Sequence, residues 1–295
     1  MTALGILTPA TVREVAPQAV PRAVWRALLR RPAARIGLAL ALLLALVTLL
    51  GPLFTADPDL PDYADQLAPP GPVHWLGTDQ AGRDLLARSI AAARTSVGAA
   101  LLVMTLCAVV GVVVGTVSGA VGGRLDTVLT RFTDILLGLP TVVLTLAVIG
   151  VLGPGFWNLV LAMSATTWAP LARLARSVAR GSAQRPDVIA ARMAGVRPLR
   201  LALGHVLPAT ASQVLVAATL GLAEIVLLLG SLSFLGLGAQ PPTAEWGNML
   251  STGRETFAYA PWQLVGPGLG LILSITAATL VSDALRDVTD PGRRT

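Results

Sequence analysis

Six stretches of the chain are apolar over lengths that suit lipid: residues 36–54, 95–121, 135–152, 156–171, 206–229 and 262–281. A bilayer core about 30 Å thick takes roughly 20 residues of α-helix. The pattern therefore predicts an all-α integral membrane protein with six transmembrane helices, the fourth of them short. Polar residues collect between the spans and divide the chain. Residues 1–35 form an N-terminal segment, and 36–93 hold the first span and a long outer segment. Residues 94–283 make a five-helix core with an arginine-rich loop at about 177–205, and 284–295 form a tail.

Arginine distribution orients this bundle. With both termini in the cytoplasm, the inner segments carry six, two, seven and three arginines, against four outside (Arg83, Arg88, Arg94 and Arg254). That asymmetry follows the positive-inside bias, and reversal would carry the seven-arginine loop through lipid at about 3 kcal/mol per residue. The outer segment 55–94 is acidic and proline-rich, and is expected to be an ordered surface feature. About 35 residues precede the first span and no small-residue cleavage site follows it, so a signal peptide is not expected.

Composition agrees: 54% of residues are hydrophobic and 13% charged, with a mean hydropathy of +0.71. The formal charge of +6 comes with scarce aromatics and with arginines placed between lipid-length segments. Membrane topology accounts for them, and no nucleic-acid partner is expected. Cys107 is the single cysteine, and His74 and His205 fall on opposite sides of the predicted bundle. Neither a metal centre nor a nucleophile with its base is therefore expected, and with them go catalytic residues and a resident cofactor.

The loop between the fourth and fifth spans contains PDVIAARMAGVRPLRLALGHVLP, residues 186–208. Asp187 is the expected N-cap of a short helix over 188–194, with Gly195 after its C-terminus and Pro198 opening a second turn. Ala190, Ala191 and Ala194 leave one side nearly bare, so another surface can approach the backbone. Arg192, Arg197 and Arg200 remain available to acidic groups. Such a rod, fixed to two membrane helices, suits mechanical contact with a cytoplasmic partner.

The alanine pair, Gly195 four residues after Ala191, and His205 followed by Val206, Leu207 and Pro208 resemble the cytoplasmic signature of bacterial ABC-importer permeases. HWLGTDQAGRDLLARS at 74–89, LSFLGLGAQPPTAEWGNMLSTGR at 232–254, APWQLVGPGLGL and SDALRDVTDP narrow the resemblance to the dipeptide, oligopeptide and nickel branch. It covers about residues 30–291. It implies the type I permease fold in a bacterial inner membrane and a second homologous permease. It also implies two ATP-binding subunits that carry ATP and Mg, and an extracytoplasmic solute-binding protein. Asp187, Ala190, Ala191, Arg192, Gly195, Arg197, Arg200 and His205 then belong to the coupling helix and loop that meet the ATPase. The family commonly has glutamate directly before the alanine pair, where this chain has Ile189. Asp187 is no substitute, because two residues along a helix rotate by about 200°.

One exclusion needs no resemblance. These residues contain no lysine, and a P-loop needs one to reach the nucleotide's phosphates. If ATP drives this protein, it is hydrolysed on other subunits.

Several residues are candidates for the pathway or a permease interface. Gly111, Gly115 and Gly119 form a small-residue stripe that fits close helix packing within the subunit better than a pore-lining role. Glu224 is the acidic residue placed well inside a span, where an unpaired carboxylate is costly. Gly266, Pro267, Gly268 and Gly270 predict a bent outer end of the sixth span. The outer loop with Trp246, Asn248, Arg254 and Glu255 is expected, by resemblance, to dock the binding protein or to cover the mouth. Asp134 is expected to pair with Arg131 or Arg124. His74, Trp75, Phe156, Trp157 and Trp168 are expected as interfacial anchors. The leading reading is the membrane subunit of an ATP-driven importer of dipeptides, oligopeptides or similar solutes. A nickel or metal-chelate importer permease is the alternative within the family, disfavoured because no His, Cys or Met cluster lines a span. An autonomous proton-coupled transporter using Glu224 is the alternative from another class.

Overall fold

The computed structural model describes residues 31–55 and 57–289. The first 30 residues of the predicted N-terminal segment, and the tail beyond 289, lie outside it. Eleven α-helices carry the described chain: α1 Pro32–Leu50, α2 Leu85–Val121, α3 Gly123–Leu137, α4 Thr141–Leu152, α5 Phe156–Thr167, α6 Ala169–Ala183, α7 Pro186–Met193, α8 Pro198–Leu201, α9 Leu207–Phe234, α10 Trp246–Glu255 and α11 Val265–Thr289. A single π turn, Ala202–Val206, joins α8 to α9. The all-α class is as expected, and the described residues hold no strand beyond one isolated bridge between Thr78 and Asp84.

Four stretches among the described residues are long and apolar enough to cross a membrane: Pro32–Leu53, Leu85–Val121, Leu199–Phe234 and Pro261–Arg286. A fifth arises if α3 and α4 count as one span, bent by 93°. The predicted third and fourth crossings are thus built from shorter pieces. Pro140 lacks an N–H and disfavours helical backbone before it, which breaks the third stretch after Leu137. The fourth passes through Trp168, in helical conformation, into α6, whose exposed positions are mostly polar or charged. The predicted second span starts ten residues early, because the Asp84 carboxylate accepts from the Ala87 N–H at 2.8 Å and caps α2 at Leu85.

The helices sort the chain to two ends. Ala34 of α1 and Ala284 of α11 are buried together, and a Cβ on Gly37 would stand 2.8 Å from that of Leu280. Gly51, at the other end of α1, touches Ile90 near the start of α2. α9 runs antiparallel to α11, with Gly230 against Leu271 and Ser282 Oγ donating to the Thr219 carbonyl at 2.9 Å. One end of the bundle therefore gathers the start of α1, the end of α11 and the arginine-rich segment. The opposite end gathers residues 57–84 and α10.

Inside the core, α2 and α6 approach closely. A Cβ on Gly115 would lie 2.4 Å from both the Ala172 carbonyl oxygen and the Ala175 Cβ. Gly111 meets Leu171 and Gly119 meets Ala179 in the same way. Ala172, Ala175 and Ala179 supply the facing stripe of α6 and are all buried. Gly111 and Gly115, candidates above for pathway or permease interface, are therefore spent on packing within the chain. Two glycines in the sixth span, Gly266 and Gly270, have the same use. α11 begins at Val265, so Pro267 sits in a first turn that needs no donor. Gly266 and Gly270 admit Ser89 and the Trp246 ring.

Gly115→Ala should destabilise the protein by about 1–3 kcal/mol through overpacking against backbone. Gly221→Ala, where nothing lies within 4 Å, should be neutral or mildly stabilising. Thermal unfolding of the two variants in detergent checks this, and equal shifts would contradict the close approach.

Candidate functional site

The segment joining α6 to α9 is a rod, a turn and a second rod. α7 starts two residues before the expected position: Pro186 occupies its first turn and Arg185 its N-cap, with no side-chain cap. Asp187 is therefore not the cap. Its two carboxylate oxygens accept from Arg185 Nε and Nη2 at 3.0 and 3.1 Å. The C-terminus follows expectation. Gly195 takes φ +82°, its N–H donates to Arg192 O at 3.0 Å, and the Val196 N–H donates to Ala191 O at 3.1 Å. That pair of bonds is the Schellman closure, which favours glycine at this position.

Val188 pins α7 to the core, while Ala190, Arg192 and Ala194 are exposed and Ala191 is half-buried. Arg197, Arg200 and His205 are exposed too. An apolar surface joins them that the sequence reading did not anticipate. Ile189 and Met193, one turn apart on α7, are 44% and 85% exposed. Leu199 and Leu203, one turn apart beyond Gly195, are 71% and 56% exposed. Four large apolar side chains flanked by arginines thus stand open at the arginine-rich end.

Within the membrane helices Glu224 is exposed on α9 and has no hydrogen-bond or ion-pair partner among the described residues. Gln213 and Ser231 are exposed as well, and at 100° per residue all three fall within about 20° of one line along the helix. This polar stripe faces away from the chain's own core.

The far end is a packed cap. The Arg88 guanidinium donates to Pro58 O and Asp59 Oδ1, both at 2.9 Å, and to Pro242 O at 3.1 Å, which ties residues 57–59 and the loop before α10 to α2. Glu245, 1% exposed, caps α10 by accepting from the Gly247 and Asn248 N–H groups, both at 2.9 Å. It also accepts from Ser96 Oγ at 3.0 Å. Trp246 is only 2% exposed, and its Nε1 donates to Ser89 O at 2.9 Å. Trp246 is consequently an internal anchor, not a docking residue. Asn248 is half-buried, and Arg254 and Glu255 are exposed, with Arg254 lying 5.3 Å over the Phe234 ring.

Three further expectations change. Asp134 accepts from Arg173 Nη2 at 2.7 Å, not from Arg124 or Arg131. Trp168 is buried and stacks on Phe132, ring centroids 6.1 Å apart, so it is not an interfacial anchor. Trp75 and Trp157 are exposed, as an anchor must be. His74 instead belongs to the cap: Nδ1 lies 2.8 Å from Asp84 Oδ2, and Nε2 lies 3.6 Å from Asp65 Oδ2. Hydrogen bonding to Asp84 raises the imidazole above its ordinary 6.5, with Asp65 adding to the effect. The sequence reading missed Arg88 and Glu245 as cap-forming residues, and it missed Asp126. Asp126 faces Arg176 and Arg180. Its available signal was two aspartates eight residues apart, opposite three arginines at helical spacing.

Residues 111–295 match the family described as binding-protein-dependent transport system inner membrane component. Residues 22–70 match the N-terminal transmembrane domain of oligopeptide transport permease C. The nickel transport system permease protein of Escherichia coli is 39% identical over 235 residues, covering 80% of this chain and 85% of that protein. The dipeptide transport system permease protein of Alkalihalophilus pseudofirmus is 32% identical over 250 residues, 83% and 81% of the two chains. The glutathione transport system permease protein of Shigella sonnei is 37% identical over 230 residues, 78% and 76%.

Because the folded state raises the His74 value, its ion pairs contribute fully below about pH 6.5 and are lost as pH rises through the raised value. Melting of the detergent-purified protein should therefore weaken more between about pH 6 and pH 8 than melting of His74→Gln. Equal slopes would contradict the pairing.

Proposed function

The chain belongs to the family of binding-protein-dependent transport system inner membrane components, and from that premise we propose that it imports peptides or peptide-like solutes. It is a multi-pass inner-membrane permease of the ABC-importer type, working with ATPase and binding-protein partners. In our reading two ATP-binding subunits, which carry ATP and Mg, seat on residues 186–206 from the cytoplasm. A second homologous permease covers the Gln213–Glu224–Ser231 stripe and forms the pathway with it. Both chain termini share the cytoplasmic side with the arginine-rich segment. A binding protein delivers solute at the opposite end, where Asn248, Arg254 and Glu255 are accessible.

One observation carries the reading: a short rod, closed by a glycine turn and rooted in two long helices, exposes Ile189, Met193, Leu199 and Leu203 together. Large apolar side chains in such a cluster mark a contact with another protein. With isoleucine in place of the family's usual glutamate, the contact rests on apolar burial rimmed by Arg192, Arg197 and Arg200. Its partner surface is accordingly an apolar groove with acidic edges. Glu224 supports the pathway assignment, because a mid-membrane carboxylate facing lipid costs about 3 kcal/mol. That face is therefore covered by protein or water.

A nickel or metal-chelate cargo is the second reading, favoured by the likeness to the nickel permease of Escherichia coli. An autonomous proton-coupled transporter is set aside by the family assignment.

Met193→Asp should reduce co-purification of the ATPase subunits by about tenfold or more, as for the loss of a central interface anchor. Undiminished retention would contradict docking at this rod. Glu224→Gln should leave assembly intact and lower the uptake of labelled dipeptide. Unchanged uptake would remove Glu224 from the pathway.

A further inference from the structure

Asp126, at the arginine-rich end, lies outside every role assigned so far. Its side chain is 8% exposed and gathers donors from three helices. Ser118 Oγ of α2 donates to Oδ1 at 2.5 Å, Arg176 Nε to Oδ1 at 2.5 Å, and Arg176 Nη2 to Oδ2 at 3.0 Å. Arg180 Nη2 also donates to Oδ2, and Thr130 Oγ1 adds a contact at 3.4 Å. Further along, Phe132 stacks on Trp168, and Asp134 takes its bond from Arg173. Rising numbers on α3 meet falling numbers on α6, so the two helices are zipped antiparallel.

α3 joins its chain neighbours through a glycine pair at one end and a proline-containing break at the other. Gly122, just before it, and Gly123, its first residue, have φ of +69° and +62° with open space around both. At its other end the break at 138–140 turns the chain by 93° into α4. Two joints thus flank a helix bolted sideways to α6, and α6 continues through residues 184 and 185 into α7.

We propose that Asp126 is a positioning residue, the pin through which movement of α6 reaches α3 and α4. This rests on the reading of residues 186–206 as the ATPase contact. A force arriving at α7 displaces α6, and the doubly bridged carboxylate obliges α3 to follow. Turning about its glycine joint, α3 then swings the apolar arm α4. Ser118 contributes the fixed side of the clamp, since α2 and α6 are already in backbone contact at Gly115.

The test uses the complete complex, with companion permease, ATPases and binding protein, in vesicles. Cys107 is this chain's single cysteine and is buried, so one cysteine introduced at Val143, exposed on α4, reports α4 when the other subunits are made cysteine-free. Its rate of reaction with a soluble maleimide should change about tenfold on addition of ATP. Asp126→Asn should flatten that change to about twofold or less while ATP hydrolysis and co-purification of the ATPases persist, and Asp126→Glu should restore it. A full ATP-dependent change in Asp126→Asn would overturn the proposal. If Asp126→Asn does not accumulate in the membrane, Arg180→Gln, at a half-exposed position that leaves Arg176 in place, should give an intermediate response. An unaltered response there would equally overturn it. Loss of the ATPases from the unmodified complex would instead defeat the underlying reading of residues 186–206.

Discussion

The contact on which the other positions depend is the meeting of two backbones, α2 and α6, along Gly111, Gly115 and Gly119 on one side and Ala172, Ala175 and Ala179 on the other. Lipid tails are as apolar as leucine, so helix association in a bilayer has little hydrophobic drive and relies on close packing. Small residues on both helices permit it. Once α6 is fixed against α2, its arginine face is presented to α3 and its end sets where α7 can lie. The exposed rod is therefore positioned from inside the bundle, and a push on it is received by helices that cannot slide without repacking.

Charges are placed at the two ends, where they serve different purposes. At the arginine-rich end they join helices to one another, through Asp126 and Asp134 of α3 paired with Arg173, Arg176 and Arg180 of α6. At the opposite end they hold loops: Arg88 draws in residues 57–59 and the loop before α10, and Glu245 closes α10 on Ser96. Both Arg88 and Glu245 are buried with their hydrogen bonds met, which buried polar groups require. Glu224 breaks that pattern. The chain satisfies its buried charges internally, whereas Glu224 is exposed on an outward stripe with no partner among the described residues.

Much of this was legible beforehand. Four crossings, the short helix after residue 185 and the glycine that closes it follow from apolar length and from backbone conformations that only certain residues tolerate. The third and fourth crossings were less legible, because a run of apolar residues does not reveal that Pro140 interrupts it, nor that the helix continues through Trp168 into arginines. Side-chain destinations were the least legible. Trp246 looks like a docking residue beside Asn248 and Arg254, yet the space left by Gly270 draws its ring inward. Asp187 looks like a cap, yet Arg185 holds it. The first outcome depends on partners distant in sequence, of which local spacing carries no record, and the second on a competing neighbour two residues away.

If α2 and α6 act as one rigid body that receives force at the α7 rod, spin labels at Val113 and Ser177, exposed positions on the two helices, test it directly. In a transport-competent complex the distance between the labels should be the same without nucleotide and with ATP bound. A shift of several ångströms on ATP binding would contradict the account.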